Sequence, residues 1–313
     1  MYTINGHHHV SMLTKDAKAT NHFFRDILGL RRVKKTVNQD DPSMYHLFYG
    51  DLTGSAGTEL SFFEMPMAGH TVRGTDAITG IGLLVQSREN LDYWKARFEQ
   101  FRVKHGEITT YAGHDALHFE DGEGLRMVII NHNEREVPDI WSAWDGSDVP
   151  EEHRILGIGS MEITVSDLNS LATTLTGIFG YTEVFRSEDE AVYQAEQGLI
   201  FGEIVIKQQD GPREKPGKGS IHHLAIRVNN EEELQYWDKA VRDRGFRSSG
   251  IIDRFYFQSL YFRESNGILF EIATDGPGFT ADSTIEDLGK GLDLPPFLEV
   301  RRADIEARLA PID

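Results

Sequence analysis

ENLDYWKA at residues 89–96 and EELQYWDKA at residues 232–240 are two copies of one segment. In both, Leu, Trp and a later apolar residue recur at helical spacing: Leu91, Trp94 and Phe98, then Leu234, Trp237 and Val241. That period marks one buried helix face. With the tryptophans aligned, fourteen residues upstream lie Gly80 and His223. Each opens an apolar run of strand length, GIGLLV (80–85) and HLAIRV (223–228). Downstream, LHFEDGEGLRMVI (117–129) aligns with LYFRESNGILFEI (260–272), each a strand, a Gly-containing turn and a strand.

Two weaker copies complete the pattern. HVSMLT (9–14) precedes a helix with Asp16 as N-cap and apolar Phe23, Phe24, Ile27 and Leu28. Strand-like stretches follow at 31–37, 44–50 and 58–65. SMEITV (160–165) precedes Asp167, a helix over 168–179 and strands over 181–187, 191–196 and 203–208. The order β-α-β-β-β therefore occurs four times, starting near residues 7, 78, 157 and 219. The expected fold class is α+β, with curved, barrel-like mixed sheets in two domains. These are an N-terminal domain over 1–135, a linker over 136–156 holding Pro138 and Pro150, and a C-terminal domain over 157–280. A tail follows over 281–313, with LPPF (294–297) and a short amphipathic helix, ADIEARL.

The chain has 313 residues, with 32 basic and 50 acidic side chains, so its formal charge is 32 − 50 = −18. Such a surface repels nucleic-acid backbones and anionic lipid, which argues against both as partners. With no cysteine, disulfides, thiolate metal sites and cysteine nucleophiles are excluded. The start, MYTINGHHHV, has neither the basic nor the apolar character of a signal peptide, and a cytoplasmic protein is expected.

The repeat makes the histidines informative. At the first position of the leading strand the four units carry His9, Gly80, Ser160 and His223. A structural histidine has no reason to recur at equivalent places in two distant units. Glu271 lies four residues past Gly267, where unit two has Val128 four past Gly124. A carboxylate at an inward-facing apolar position is costly unless paired or bound to a cation. Two imidazoles and one carboxylate form the facial triad used for non-heme Fe(II), and Mn(II) or Zn(II) accepts the same donors. The bland readings are a chance HHH tract and a Glu paired with an arginine such as Arg254.

Glu64 in LSFFEM is the rival fourth ligand. It lies seven residues past Gly57, opposite in parity to Glu271, so its side chain should face away unless a bulge intervenes. Parity also sets His8 and His222 outside the donor set; from strand starts they could still reach the pocket mouth as acid–base groups, a role that spacing alone leaves open. Ser11 and Ala225, two residues past His9 and His223, leave room for an ion.

The repeats, with HHV (8–10), HHL (222–224) and FE (270–271), resemble the vicinal oxygen chelate superfamily of glyoxalases, bleomycin resistance proteins and dioxygenases. Within it, the chain is similar to hydroquinone-type ring-cleaving dioxygenases over nearly its whole length, including TVNQDDPSMYHLFYGD (36–51). The resemblance implies that units one and four share a metal site, uniting His9, His223 and Glu271. It implies catalytic roles for His8, His222, Tyr261 and Arg254, with an aromatic substrate, O2 and a homodimer as partners. Ser160 sets the chain apart from catechol-cleaving members, which take a ligand from unit three. Two alternatives stay open: a glyoxalase-type lyase or isomerase with Glu64 as fourth ligand, and an aromatic- or drug-binding protein.

Overall fold

The computed structural model describes residues 2–313. Unit one contains β1 (His7–Thr14), α1 (Ala17–Asn21), β2 (Arg31–Val37), β3 (Tyr45–Gly50) and β4 (Glu59–Glu64). Unit two contains β5 (Ala77–Val85), α2 (Glu89–Phe101), β6 (Lys104–Tyr111), β7 (His114–Glu120) and β8 (Arg126–Asn131). Unit three contains β9 (Gly157–Val165), α3 (Leu168–Gly177), β10 (Thr182–Arg186), β11 (Glu190–Gln194) and β12 (Glu203–Gln208). Unit four contains β13 (Ser220–Val228), α4 (Glu231–Asp243), β14 (Ile252–Asp253), β15 (Phe257–Arg263) and β16 (Leu269–Pro277).

Local chemistry sets the helix starts. The carboxylates of Asp16 and Asp167 accept from the backbone N–H of Ala19 and Ser170, three residues on. Asn230 does the same for Glu233, and Glu231–Glu233 set negative charge against the positive end of α4. Leu91, Trp94, Phe98, Leu234, Trp237 and Val241 are all buried. The first helix departs from expectation. After one α turn it widens into a π turn over His22–Ile27, with Leu28 N–H bonding the carbonyl of Phe23. Adjacent Phe23 and Phe24 are thereby both buried, Phe24 against Phe62 at 4.5 Å between ring centres.

Two mixed eight-stranded sheets result, in the orders β14-β15-β16-β13-β1-β4-β3-β2 and β10-β11-β12-β9-β5-β8-β7-β6. In each unit the first and last strands pair in parallel, and neighbouring units join through antiparallel first strands, β1 with β13 and β5 with β9. Sheets therefore form from units one and four and from units two and three. The former curls around a cavity. Along β1, His9, Ser11 and Leu13 face that cavity, while Val10 and Met12 lie in the apolar core.

The segment between the halves packs closely: Trp141 lies against Gly57 (φ 97°), where an added Cβ would stand 2.6 Å from the indole. The tail carries α5 (Pro296–Glu299) and α6 (Arg302–Glu306) and covers β2, an edge strand. Lys34 of β2 is fully buried, with Nζ 2.7 Å from Asp282 and 2.9 Å from Asp293 of the tail. Asp313 reaches Arg32 and Lys35, both at 2.7 Å. Among the described residues no helix is long and apolar enough to cross a membrane.

Candidate metal centre

Register across the β1–β13 seam brings distant residues together. His9 lies opposite Ala225 and His223 opposite Ser11, so each histidine faces the small residue that follows the other. β16 runs parallel to β13 with Glu271 beside Ala225. The side chains converge: His223 Nε2 is 2.8 Å and His9 Nε2 3.1 Å from Glu271 Oε2, and the two Nε2 atoms are 3.3 Å apart. All three residues are buried at the wall of a cavity of about 560 Å³.

Glu271 Oε2 is buried yet has no hydrogen-bond partner. Its other oxygen accepts from the Tyr261 hydroxyl at 2.9 Å. A bare carboxylate oxygen facing two imidazole nitrogens is costly without a cation between them. Ligand bonds of about 2.0–2.1 Å at right angles would separate the donor atoms by about 3 Å, as observed. The donor set thus fits a divalent ion, and its neutral nitrogens and carboxylate suit Fe(II), Mn(II) or Zn(II). Burial opposes the Glu271 charge, but His9 and His223 hold its carboxyl well below the usual range. Burial also lowers the His223 imidazole, favouring the neutral ring a metal requires.

The histidines before the donors depart from simple alternation. Register slips fall in β1 between His7 and His9, and in β13 between Ile221 and His223. Each bulge leaves one extra residue, His8 or His222, and re-aims its side chain. Consecutive rings therefore meet edge to face, at 5.1 Å in both pairs. His8 Nδ1 lies 3.0 Å from His9 Nδ1, and His222 Nδ1 lies 2.8 Å from His223 Nδ1. The two then differ. His222 is exposed and lines the cavity. His8 is buried behind His9, its Nε2 3.0 Å from the carbonyl of Thr274, away from the pocket mouth that its place at a strand start leaves within reach.

The carbonyl can only accept, so His8 carries its proton on Nε2. Burial holds His8 neutral, at about 3, so its Nδ1 is a bare acceptor. It receives the Nδ1 proton of His9, which leaves His9 Nε2 as a lone pair aimed at the site.

Tyr261 and Arg254 also line the cavity, with the guanidinium 5.4 Å from the centre of the Tyr261 ring. Arg254 Nη1 is 3.2 Å from Asp40. Burial, then the charge of Glu271, raises the Tyr261 hydroxyl, so it stays a phenol that can donate. Glu64 is absent from the cavity wall; its carboxylate accepts from Ala17 N–H at 3.1 Å, near the start of α1. Ser61 stands opposite Ser11 as Glu271 stands opposite Ala225, and its hydroxyl is 2.7 Å from that of Ser11. Counting four residues from Gly57 arrives at Ser61. In the second sheet the corresponding positions hold Gly80, Val128, Ser160 and Val205, which supply no donor set.

Sequence reasoning missed His46 on β3. Its ring lies 4.1 Å from both Phe48 and Phe63 within the same cavity wall. Its signal was a lone imidazole in the apolar run MYHLFYG (44–50).

Comparison with known proteins agrees with this architecture. The profile of the Glyoxalase/Bleomycin resistance protein/Dioxygenase superfamily matches residues 6–129 and 157–272. The chain is 47% identical to a candidate ring-cleaving dioxygenase, MhqA, of Bacillus subtilis, over 99% of each chain. It is 27% identical to a chlorohydroquinone/hydroquinone 1,2-dioxygenase of Sphingobium indicum, over 95% of this chain and 93% of that one. A crystal structure of a candidate dioxygenase from Bacillus subtilis superposes with a TM-score of 0.93 at 32% identity, covering 100% of this chain and 99% of the other. The register that joins units one and four, the profile matching both halves and the full-length relatives together place this chain in the Glyoxalase/Bleomycin resistance protein/Dioxygenase superfamily.

Proposed function

We propose that this chain is a ring-cleaving dioxygenase that opens a hydroquinone or a related phenol with O2, using Fe(II) held by His9, His223 and Glu271. The observation that carries the reading is the unpartnered Glu271 Oε2, facing two imidazole nitrogens at the wall of a largely apolar cavity. The names of the relatives support the reaction class. Both oxygen atoms of O2 enter the ring-opened product. A bound divalent ion would acidify the phenolic hydroxyl and couple oxidation of the ring to reduction of O2.

The chain's own groups do the rest. Phe48, Phe63 and Phe257 exclude water and give the ring an apolar slot. Arg254 supplies positive charge beside an ionised oxygen. Tyr261 gives its one hydroxyl proton to Glu271, and turning that proton from the carboxylate to a reacting oxygen would make it a proton donor. His222, exposed and against His223, passes a proton between cavity and solvent. His8 acts by fixing the tautomer of His9. The lyase alternative needs a fourth protein ligand, and its candidate, Glu64, is engaged at Ala17.

The test is oxygen uptake after anaerobic Fe(II) loading. Stoichiometric uptake with hydroquinone, abolished by His9→Ala and Glu271→Ala, is the expected result. No uptake with any phenol, or full metal retention in both variants, would overturn the assignment.

A further inference from the structure

The Nε2 atom of His46 is buried and has no hydrogen-bond partner. Its ring packs against Phe48 at 4.1 Å and Phe63 at 4.1 Å, which fixes its plane. Burial, and then the histidines His9 and His223, hold the imidazole well below its usual range, so it is neutral. A neutral ring offers one N–H donor and one acceptor. β4 alone separates its strand from β1, and the charges of Glu271 and Arg254 act on it. An orphaned polar atom held on a rigid aromatic support in a cavity wall is disfavoured unless something occupies the cavity. The mechanism above gives His46 no task.

We propose that His46 is the cavity's receptor for a second ring oxygen, and that it selects hydroquinone-type diphenols over phenols with a single hydroxyl. The inference rests on the ring-cleaving reading and narrows its substrate class. One ring hydroxyl sits at the donor set of His9, His223 and Glu271. The other exchanges a hydrogen bond with His46 Nε2, which then ceases to be an orphan. A phenol without that oxygen leaves the nitrogen unpaired in the complex, and a site built to pair a hydroxyl rejects the analogue that lacks it.

The test measures binding, not turnover. Fe(II)-loaded protein is titrated anaerobically with hydroquinone and with phenol by calorimetry. His46→Phe keeps the aromatic packing and removes the polar atom; His46→Gln returns a polar group. Iron content and near-ultraviolet circular dichroism confirm folding, and if His46→Phe does not fold, His46→Gln carries the comparison with wild type. Wild type should bind hydroquinone at least tenfold more tightly than phenol. His46→Phe should lose about tenfold for hydroquinone and less than twofold for phenol, and His46→Gln should recover part of the difference.

Equal losses for both ligands, unchanged hydroquinone affinity in His46→Phe, or a His46→Gln no tighter than His46→Phe would each overturn the role of His46 while leaving the ring-cleaving reading standing. Wild type that binds neither ligand would overturn both.

Discussion

The Nε2 atom of His8 lies 3.0 Å from the carbonyl oxygen of Thr274, and this contact behind the cavity decides which nitrogen of His9 is bare. His222 has no such anchor on its far nitrogen, although it meets His223 as His8 meets His9. The two histidine pairs look alike in sequence and differ in what lies beyond them. One sets a tautomer; the other reaches solvent.

Replacing His8 by Phe therefore acts on metal binding. Without the acceptor, His9 is no longer held with its proton on Nδ1, and affinity for Fe(II) should fall roughly 10- to 100-fold. His222→Phe should keep most of the affinity and lower the turnover rate instead. Competition with a chelator separates the two outcomes, and equal affinity losses would count against the relay.

Glu271→Gln preserves shape and removes charge. Metal affinity should drop by more than roughly 100-fold, beyond the loss from an outer-shell change. The metal-free variant should be less stable than metal-free wild type at neutral pH, since His9 and His223 favour the Glu271 charge that Gln lacks. Urea denaturation of both metal-free proteins checks this, and equal midpoints would refute it.

Tyr261→Phe removes the donor to Glu271 Oε1 but keeps the ring beneath Arg254. The expected result is a kcat lower by roughly 100-fold, with iron content retained. Iron loss in proportion to activity would mean that the hydroxyl serves only to hold the carboxylate.

Acid should weaken the metal-free protein before its carboxylates titrate. Burial lowers His7 to about 4 and His8 to about 3, whereas both titrate near 6.5 once exposed. Below pH ~6.5 the unfolded chain takes up protons that the folded chain refuses. Stability from these groups is complete above pH ~6.5. It declines by about 1.4 kcal/mol per group per pH unit until the folded values are reached. Urea midpoints at pH 7.5, 6 and 5 measure this, and a flat profile would refute it.

Lys34→Met should destabilise by roughly 3 kcal/mol, because it strands Asp282 and Asp293 against a fully buried site. Tyr256 lines the cavity and donates to Asp282 at 2.8 Å, so substrate affinity should weaken as well. Thermal denaturation and anaerobic calorimetry test the two effects separately.

The paired tryptophans made the repeat legible because a buried helix face tolerates little change. Trp94 and Trp237 kept their offsets to the leading strands, and those offsets placed Gly80 and His223 on equivalent strands; His9 followed from the weaker copy HVSMLT (9–14). Parity was a weaker guide. It held for Glu64, whose strand runs in register beside β1. It gave way at His8 and His222, where a bulge inserts one residue and leaves no mark in the composition. His46 was hidden for a different reason: β3 is buried over most of its length, so its polar member does not stand out by alternation. The π turn after α1 is likewise silent in a sequence that reads as an ordinary amphipathic helix.

The sheet order has a temporal side. Residues 77–208 hold every strand of one sheet, whereas the other needs the two ends of the chain to meet. During synthesis His9 emerges first and must wait until Glu271 has cleared the ribosome before its counterparts exist. The cluster of His9, His223 and Glu271 therefore assembles only after β16 has been made, and a chain cut short before it lacks the carboxylate.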